Sequence, residues 1–185
     1  MSTAAKPEPS PSIWNIDPVH SSAQFKVKHM MISNVKGEFT SVSGTLELDG
    51  DDVTKSKVNA TIDATTINTR EPQRDAHLKS ADFLDVEKFP TLTFKSTEIK
   101  KKANGDLAVT GDLAIHGVTR KETFDFDAPG GSQKDPWGNL RIGHTGTAKI
   151  NRKDFGLNWN TVLEAGGIMV GDEVTITLDV QFIKA

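Results

Sequence analysis

The sequence predicts an all-β fold: an antiparallel up-and-down barrel of eight or nine strands, with a short helix near its mouth. Apolar and polar residues alternate with a period of two along most of the chain, as expected for strands with one buried face and one wet face. Short turns join most of these strands, and a closed barrel built from such connections leaves no exposed sheet edge. A sandwich of two sheets is the alternative architecture.

Composition and charge narrow the class of protein. The 185 residues suffice for one domain with a sizeable core, and the net charge is −3. Because basic residues are not in excess, no nucleic-acid partner is indicated. The absence of cysteine excludes disulfides and thiolate chemistry. No run approaches the roughly 18 apolar residues of a membrane helix, so no integral membrane segment is expected.

The chain divides into a tail and one domain. Residues 1–12 are mainly Pro, Ser and Ala, have little to bury, and are predicted to be a disordered N-terminal tail. Residues 13–185 form the predicted barrel domain. The tail has no apolar segment of the kind found in signal peptides. The expected location is therefore cytoplasmic for the sequence as it stands, and periplasmic if a leader has been removed.

In the first half of the domain, the alternation assigns inward-facing residues to four strands. A turn at residues 50–52 separates the third of these strands from the fourth. The inward-facing positions are Ala23, Phe25, Val27, His29 and Met31, then Val35, Gly37 and Phe39, then Gly44, Leu46 and Leu48, and finally Val58, Ala60, Ile62 and Ala64.

Residues 68–94 do not alternate and predict a helix followed by a crossover. Asn68 followed by Glu71 fits the spacing of an N-cap pair, and Pro72 is tolerated in a first helical turn. The helix is expected over about residues 70–80. The segment after it is rich in aromatic residues and is expected to lie over the mouth of the barrel. A lid in this position suggests a bound ligand.

The alternation resumes after this insert. Leu92 and Phe94 begin a strand whose pattern fails near Glu98, and residues 151–172 interrupt the alternation a second time. The inward-facing positions of the later strands are Leu107, Val109, Gly111, Leu113 and Ile115, then Phe124, Phe126 and Ala128, then Leu140, Ile142, His144, Gly146, Ala148 and Ile150, and finally Val174, Ile176, Leu178, Val180 and Phe182.

The interior of such a barrel is either filled by side chains or holds one small ligand. Small residues such as Gly37, Ala60 and Gly146 stand beside large ones on the inner face, which favours space. Strands of roughly ten residues, tilted by about 40°, give a barrel on the order of 25 Å tall, which suits a long, narrow, apolar guest. The same residues are equally compatible with a packed, dry core.

Five histidines offer few sites for chemistry. No two of them have a metal-ligand spacing, so no metal site is predicted, and no nucleophile or phosphate-binding motif indicates catalytic residues. His29 and His144 face inward by parity. Arg74 and His77 are three residues apart on the predicted helix, so they share a face and are candidates for contact with a polar head group.

Four groups of motifs occur in order along the domain. The first is Trp14-x-Ile16-Asp17-x-x-His20-Ser21 with Phe25 and His29, followed by Val35-x-Gly37-x-Phe39; the second runs from Arg74-Asp75-x-His77-Leu78-x-Ser80-x-Asp82-Phe83 to Phe89-Pro90-x-Leu92-x-Phe94; the third is Gly111-Asp112-Leu113-x-Ile115-His116-Gly117-Val118-Thr119; the last is Ile150-Asn151-Arg152-x-Asp154-Phe155-Gly156-Leu157 with Val170-Gly171-Asp172-x-Val174. Their order and spacing over residues 13–183 resemble the YceI-like family of lipid- and polyisoprenoid-binding proteins.

This resemblance implies an eight-stranded, lipocalin-like barrel that binds one long amphiphile without catalysis, for transport or storage. The expected ligand is a polyisoprenoid, an isoprenoid quinone or a fatty-acid derivative, and no other cofactor is implied. The resemblance further implies a bacterial protein and a possible homodimer. The expected ligand-binding residues are Phe25, Val27, His29, Phe39, Phe83, Phe94, Leu113, His144, Phe155 and Trp159.

Two other functions are kept as alternatives. The first is an enzyme that acts on a lipid through His29, His144 or His77, which requires a buried histidine paired with a carboxylate. The second is a stress-related interaction module with a filled core, in which a dimer interface covers an exposed edge.

Overall fold

A computed structural model describes residues 11–185. The strands are β1 (Ser12–Ile16), β2 (Ser22–His29), β3 (Ser33–Phe39), β4 (Val42–Leu48), β5 (Lys57–Asp63), β6 (Ile67–Asn68), β7 (Thr91–Lys101), β8 (Leu107–Ile115), β9 (Val118–Phe126), β10 (Gln133–Lys134), β11 (Leu140–Asn151) and β12 (Val170–Lys184), with one α-helix, α1 (Pro72–Lys79). Residues 1–10 of the predicted tail lie outside this range. Ser12, the last residue of that tail, already belongs to β1.

The strands close into an antiparallel barrel of eight positions, which confirms the predicted fold and excludes the sandwich. Three positions are each occupied by two consecutive strands that form one bent strand. These bent strands are β1–β2, β3–β4 and β5–β6. Strands β1 and β2 both pair with β12, which shows that they occupy one position. Next to them, β4 pairs with β1 and β3 pairs with β2, and β6 in turn pairs with β3. The remaining positions are β7, β8, β9, β11 and β12, and the long β11–β12 pairing closes the ring.

The helical insert is confirmed, but its cap differs from the one predicted. The carboxylate of Glu71 accepts hydrogen bonds from the N–H groups of Gln73 and Arg74, at 3.2 and 2.6 Å, so Glu71 is the N-cap. Because Pro72 occupies the first helical position, the cap must be the residue directly before it. The side chain of Asn68 accepts a hydrogen bond from the N–H of Arg70 at 2.9 Å, outside the helix.

Two predicted inward positions, Met31 and Ala128, are wrong because each lies two residues beyond the end of its strand. Strand β9 stops at Phe126, and Ala128 is exposed. Strand β2 stops at His29, and the turn that follows leaves the side chain of Met31 57% exposed. Parity continues only while the chain stays in the sheet. The assignment of Met31 to the inner face therefore extended the alternation two residues too far.

The inner-face glycines do not create the interior space that the sequence suggested. A Cβ atom added at Gly37 would collide with the ring of Phe25, and one added at Gly146 would collide with the ring of Phe126. The missing side chains are thus replaced by aromatic rings that lie against the backbone. Ala60 differs from the glycines, since it does line a cavity.

Candidate functional site

Two neighbouring cavities lie along the length of the barrel formed by residues 11–185. The larger one, near the mouth, has a volume of about 430 Å³, and the smaller one has a volume of about 120 Å³. The residues that line both are Phe25, Phe39, Leu92, Ile115 and Ile176. Because these side chains form a common wall, the two cavities are neighbouring parts of one elongated apolar lumen.

The larger cavity lies between the upper parts of the strands, the helix and two long loops. Helix α1 and the crossover after it cover one side, and the loop between β11 and β12 covers another. The lining residues besides the shared five are Val27, Lys28, His29, Val35, Ile67, Glu71, Gln73, Arg74, His77, Leu78, Phe83, Leu84, Ile150, Arg152, Leu157, Trp159, Met169, Val170 and Val174.

The smaller cavity lies deeper and has an almost wholly apolar lining. Its lining residues, besides the shared five, are Ile16, Ala23, Gln24, Val42, Val58, Ala60, Ile62, Thr93, Phe94, Leu113, Phe124, Phe126, Leu178, Val180 and Phe182. Among the residues that the structure describes, none with a charged side chain lines this part of the lumen. It is therefore suited to the apolar end of a ligand, since burying an unpaired charge or a dry polar group there would be costly.

Most of the predicted ligand-binding residues line the lumen. Those at the larger cavity are Phe25, Val27, His29, Phe39, Phe83 and Trp159, together with the head-group candidates Arg74 and His77. Phe94 and Leu113 line the smaller cavity. Sequence parity placed the strand residues correctly on the inner face, and the crossover that carries Phe83 does cover the mouth.

Two predicted residues line neither cavity. Phe155 is completely buried in a short 3₁₀ turn that follows β11, where it packs into the core. His144 faces inward at the lower end of β11, with its ring centroid 6.5 Å from that of Phe126 and 6.4 Å from that of Phe182. Burial lowers the pKa of His144, which favours the neutral imidazole.

An aromatic cluster closes one side of the mouth. The ring centroid of His77 lies 5.1 Å from that of Phe83 and 4.7 Å from that of Trp159, both edge-on. The rings of Phe83 and Trp159 are 5.3 Å apart. His77 Nε2 lies 2.8 Å from a carboxylate oxygen of Asp82, so its ring is held in place. The cluster joins the helix, the crossover and the β11–β12 loop at the cavity.

Arg74 is oriented by the residues that precede the helix. Its Nε donates to the Thr69 hydroxyl and its Nη2 donates to the Thr69 carbonyl, both at 2.8 Å. Asp75 accepts hydrogen bonds from the N–H and hydroxyl of Thr69, at 2.9 and 2.5 Å, which holds Thr69 in position. Within residues 11–185, Nη1 of Arg74 makes no hydrogen bond. One face of this guanidinium is therefore available to a ligand at the mouth.

The sequence did not single out Arg152, although it occurs in one of the motifs. Its side chain lines the larger cavity, and the residue is only 3% exposed. The guanidinium donates to the carbonyls of Gly171 (2.8 Å), Leu157 (2.6 Å), Trp159 (2.9 Å) and Val170 (3.3 Å). It thereby ties both ends of the β11–β12 loop together. An arginine directly after a strand carries no pattern that would distinguish this inward orientation from an exposed one.

The positive charge of Arg152 is only distantly balanced. Its Nη2 lies 3.8 Å from Asp172 Oδ1, a buried oxygen that has no hydrogen-bond partner among residues 11–185. Burial lowers the pKa of Arg152, and the Asp172 carboxylate opposes that shift. Arginine nevertheless stays protonated in proteins. The buried cation is thus part of the cavity wall.

The charged residues around the larger cavity are mainly cationic. Arg74 and Arg152 contribute positive charge to the wall, and Lys28 borders the cavity from an outward-facing position of β2. Among residues 11–185, Glu71 is the one carboxylate in the lining. The Glu71 carboxylate is already engaged as the cap of α1. The polar end of the lumen is therefore more favourable for an acidic or strongly polar group than for a cation.

Two other kinds of site are absent from the described part of the chain. No three His, Asp or Glu side chains in residues 11–185 come together as a metal site would require. In the same range, no helix has both the length and the apolar composition needed to cross a bilayer.

The fold and the site define a class of protein, a lipocalin-like β-barrel that encloses an apolar lumen. Residues 14–182 match the YceI-like domain, and the chain belongs to the YceI-like family. It is 38% identical over 169 residues to the UPF0312 protein SA2479 of Staphylococcus aureus, covering 91% of this chain and 96% of that protein.

Solved structures with the same fold support this assignment. The Campylobacter jejuni YCEI protein is 31% identical, with a TM-score of 0.71 over 85% of this chain and 90% of that chain. A polyisoprenoid binding domain from Saccharophagus degradans is 13% identical, with a TM-score of 0.67 over 95% of this chain and 99% of that chain. The second likeness shows the fold alone.

Proposed function

We propose that this protein binds one long-chain amphiphile in its barrel and transports or stores it without changing it chemically. The candidate ligands are a polyisoprenoid, an isoprenoid quinone and a fatty-acid derivative. The observation that supports this function best is the elongated apolar lumen, with cavities of about 430 and 120 Å³ that share five lining residues. The interaction-module alternative requires a filled barrel, so these cavities support the binding proposal in preference to it.

The energetics of burial are sufficient for such a ligand. Each methylene moved from water into an apolar site contributes about 0.8 kcal/mol. A chain of on the order of ten to fifteen carbons therefore offsets an association cost of several kcal/mol and leaves useful affinity. The lumen needs no charged anchor for this, so the polar groups at the mouth serve orientation and selectivity.

We assign the orientation of the ligand from the distribution of charge. The tail lies in the deeper cavity, against Phe94 and Leu113, where the lining has no charged side chain. The head group lies at the mouth, beside Arg74 and His77. The contact set comprises the eight predicted ligand-binding residues that line the lumen and the two head-group candidates, and it leaves out His144 and Phe155.

Native mass spectrometry of gently purified protein, combined with organic extraction, tests the proposal. The expected result is a stoichiometric adduct that extracts as a lipid. If the protein is bare, a series of polyprenols, quinones and fatty acids is added and the measurement is repeated. A bare mass after the whole series contradicts the proposal.

Tryptophan fluorescence gives an independent readout. Trp159 lines the cavity, whereas Trp14 is buried in the core and Trp137 is 81% exposed on a loop. Ligand binding is expected to change the emission of Trp159. A Trp159→Phe variant should lose that change, and a Trp137→Phe variant should keep it.

An enzyme that acts on a lipid remains the second candidate, because one histidine at the cavity is paired with a carboxylate. His77 lies 2.8 Å from Asp82, and its ring contacts the aromatic cluster at the mouth. The side chains are 38% and 53% exposed, so this is a surface pair and not a buried one. To distinguish the two functions, the protein is incubated with its lipid and the extracted lipid is analysed by mass spectrometry. A chemically altered lipid supports catalysis, and an unchanged lipid supports binding.

A further inference from the structure

Four apolar side chains are exposed together beside the mouth of the barrel. Met30, Met31 and Ile32, in the turn between β2 and β3, are 39%, 57% and 79% exposed, and Val162, in the β11–β12 loop, is 79% exposed. Single exposed apolar residues are ordinary, but contiguous ones mark interaction surfaces. These four residues are called the apolar rim.

Backbone contacts hold the two parts of the apolar rim side by side. The N–H of Met30 donates to the carbonyl of Met169 at 2.7 Å. Val162 forms a β-bridge with Ile168, the residue directly before Met169. The tip of the β2–β3 hairpin and the β11–β12 loop therefore form one edge.

The apolar rim continues the wall of the lumen. Phe25, Val27 and His29 line the larger cavity from bottom to top of β2, and the turn follows directly after His29. Met169, whose carbonyl accepts the hydrogen bond from Met30, also lines that cavity. A surface in contact with the apolar rim would therefore also be in contact with the mouth of the lumen.

The conformation of the turn is unfavourable for the residues that occupy it. Met30 and Met31 have φ angles of 52° and 61°, in the left-handed region. Tight hairpin turns with two such residues favour Asn and Gly, which would also suit an exposed position better. Two flexible, polarisable thioether side chains are instead presented to the outside, which is typical of adaptable apolar binding surfaces.

The outer face of the same hairpin is basic. Lys26 and Lys36 stand directly opposite each other across β2 and β3, and Lys28 is the next outward residue toward the tip. Among residues 11–185, none of these three forms an ion pair. Like charges placed opposite each other destabilise a sheet. The carboxylates on the adjoining segments are Glu38 on β3, Glu164 in the β11–β12 loop, and Glu173 on β12, which lies 3.6 Å from Lys149.

We propose that the apolar rim and the three lysines dock the mouth of the barrel onto an anionic lipid surface. Apolar side chains enter the boundary between head groups and acyl chains, while lysines are attracted to anionic head groups. Docking itself follows from the geometry of the rim. Its use, the passage of a water-insoluble guest between a bilayer and the lumen, rests on the proposed function.

A second copy of the chain fits this surface less well. Four partly exposed side chains offer a few hundred Å², below the roughly 800 Å² that each partner contributes to a standard interface. A symmetric contact made by the same patch on both copies would also bring each set of lysines against its counterpart. A negatively charged lipid surface does not require a large complementary interface, and it attracts the lysines.

Co-sedimentation with vesicles of phosphatidylcholine, with and without phosphatidylglycerol, tests docking. The variant Met31→Asn/Ile32→Ser removes exposed apolar groups and suits the turn, so it should fold at least as well as the parent chain. Its vesicle binding is expected to fall on the order of tenfold. The variant Lys26→Gln/Lys36→Gln should lose roughly tenfold on phosphatidylglycerol vesicles at low salt, and nothing on pure phosphatidylcholine.

Trp137→Ser is the matched control. Trp137 is 81% exposed in the loop between β10 and β11, at the end of the barrel opposite to the rim. This variant is expected to bind vesicles like the parent chain. Loss of binding in the control, or full binding by Met31→Asn/Ile32→Ser, overturns the proposal.

Two further measurements separate docking from dimerisation and from lipid uptake. If light scattering shows a dimer that Met31→Asn/Ile32→Ser converts to a monomer, a second copy covers the rim and the proposal is overturned. Uptake of a lipid from detergent solution by the same variant is expected to be unchanged. Vesicle binding without any uptake of lipid by the parent chain would leave docking in place and contradict the proposed function.

Discussion

Arg152 links the two ends of the loop that covers the mouth. Its guanidinium donates to four carbonyls, two at each end of the β11–β12 loop, from a position that is 3% exposed. Removing a charged donor from buried carbonyls lowers the free energy of unfolding, because the carbonyls are left without a hydrogen-bond partner. The residue thus connects the stability of the fold with the shape of the cavity.

The change Arg152→Met is expected to lower the free energy of unfolding by about 3 kcal/mol or more, because it leaves those carbonyls unpaired. Chemical denaturation measures this effect. The control is Arg120→Met, since Arg120 is exposed and donates only to the carbonyl of Asp154, at 3.1 Å. A loss for Arg152→Met no larger than that of the control would show that the loop does not depend on the buried guanidinium.

Arg74 is the residue whose change should alter ligand preference. Removing one charge-assisted hydrogen bond in Arg74→Gln is expected to weaken binding of an acidic amphiphile by about tenfold, and binding of its neutral analogue much less. Titration by Trp159 fluorescence measures both affinities. Lys79→Gln, on the same helix but outside the cavity lining, is the control. Equal losses for both ligands would contradict a head-group role for Arg74.

At the scale of elements, β12 is the strand shared by the lumen and the closure of the barrel. It pairs with β11 on one side and with β1 and β2 on the other. Its inward residue Ile176 belongs to the wall that the two cavities share. Thr177, the next residue, faces outward.

Ile176→Trp is expected to fill the junction of the two cavities and abolish uptake of a long-chain lipid. The added volume enters existing space, so the cost in stability should stay within the roughly 1–3 kcal/mol typical of overpacking. Native mass spectrometry and a denaturation curve measure the two effects. Thr177→Trp, on the opposite face of the strand, should keep its lipid adduct. Retention of the adduct by Ile176→Trp would show that the ligand does not pass this point.

Strand β7 contains a bulge that the alternation of apolar and polar residues detects, although the alternation does not show where the strand ends. The predicted pattern fails near Glu98 because the pairing of β7 with β8 shifts register between Ser96 and Glu98. A bulge of this kind inserts an extra residue and reverses the parity that follows it. The strand itself continues to Lys101. A break in alternation therefore marked an irregularity within the strand and not its end.

At the scale of the whole molecule, an ionic network joins two loops distant from the mouth. Arg141 donates to Asp17 at 2.5 Å and to Asp135 at 2.8 Å. Hydrogen bonds from Arg141 and then His20 lower the pKa of Asp17 from 3.8 to about 2. Burial alone would raise the pKa of Asp135, but hydrogen bonds from Arg141 and Asn139 lower it.

This network should make the protein less stable in acid. Because the folded-state pKa of Asp17 lies below its unfolded value of 3.8, its contribution is complete above pH 3.8 and is lost as the pH falls through about 2. Denaturation curves between these pH values should show falling stability. In Asp17→Asn the fall should be shallower, and Asp106→Asn, at an exposed turn outside this network, should keep the slope of the parent chain. An unchanged slope in Asp17→Asn would contradict the role of this carboxylate.

The sequence alone determined the fold class, the position of the helical insert and most of the lumen. Period-two alternation records which side chains face inward, so Phe25, Phe94 and Leu113 could be assigned to the interior without coordinates. The motifs then identified the family. Alternation is a local property and the motifs depend on their order along the chain, so both can be read from the sequence without coordinates.

Only the tertiary structure decided which inward residues line the cavity and which fill the core. The motifs cannot separate Phe155 from Phe83, because both lie outside the strands and the difference depends on what packs on them from distant parts of the chain. The same holds for Arg152, whose four partners lie 5 to 19 residues away along the chain. The bending of three strand pairs likewise results from pairing with β12 and its neighbours. Contacts between distant segments set these features, and a local pattern carries no record of them.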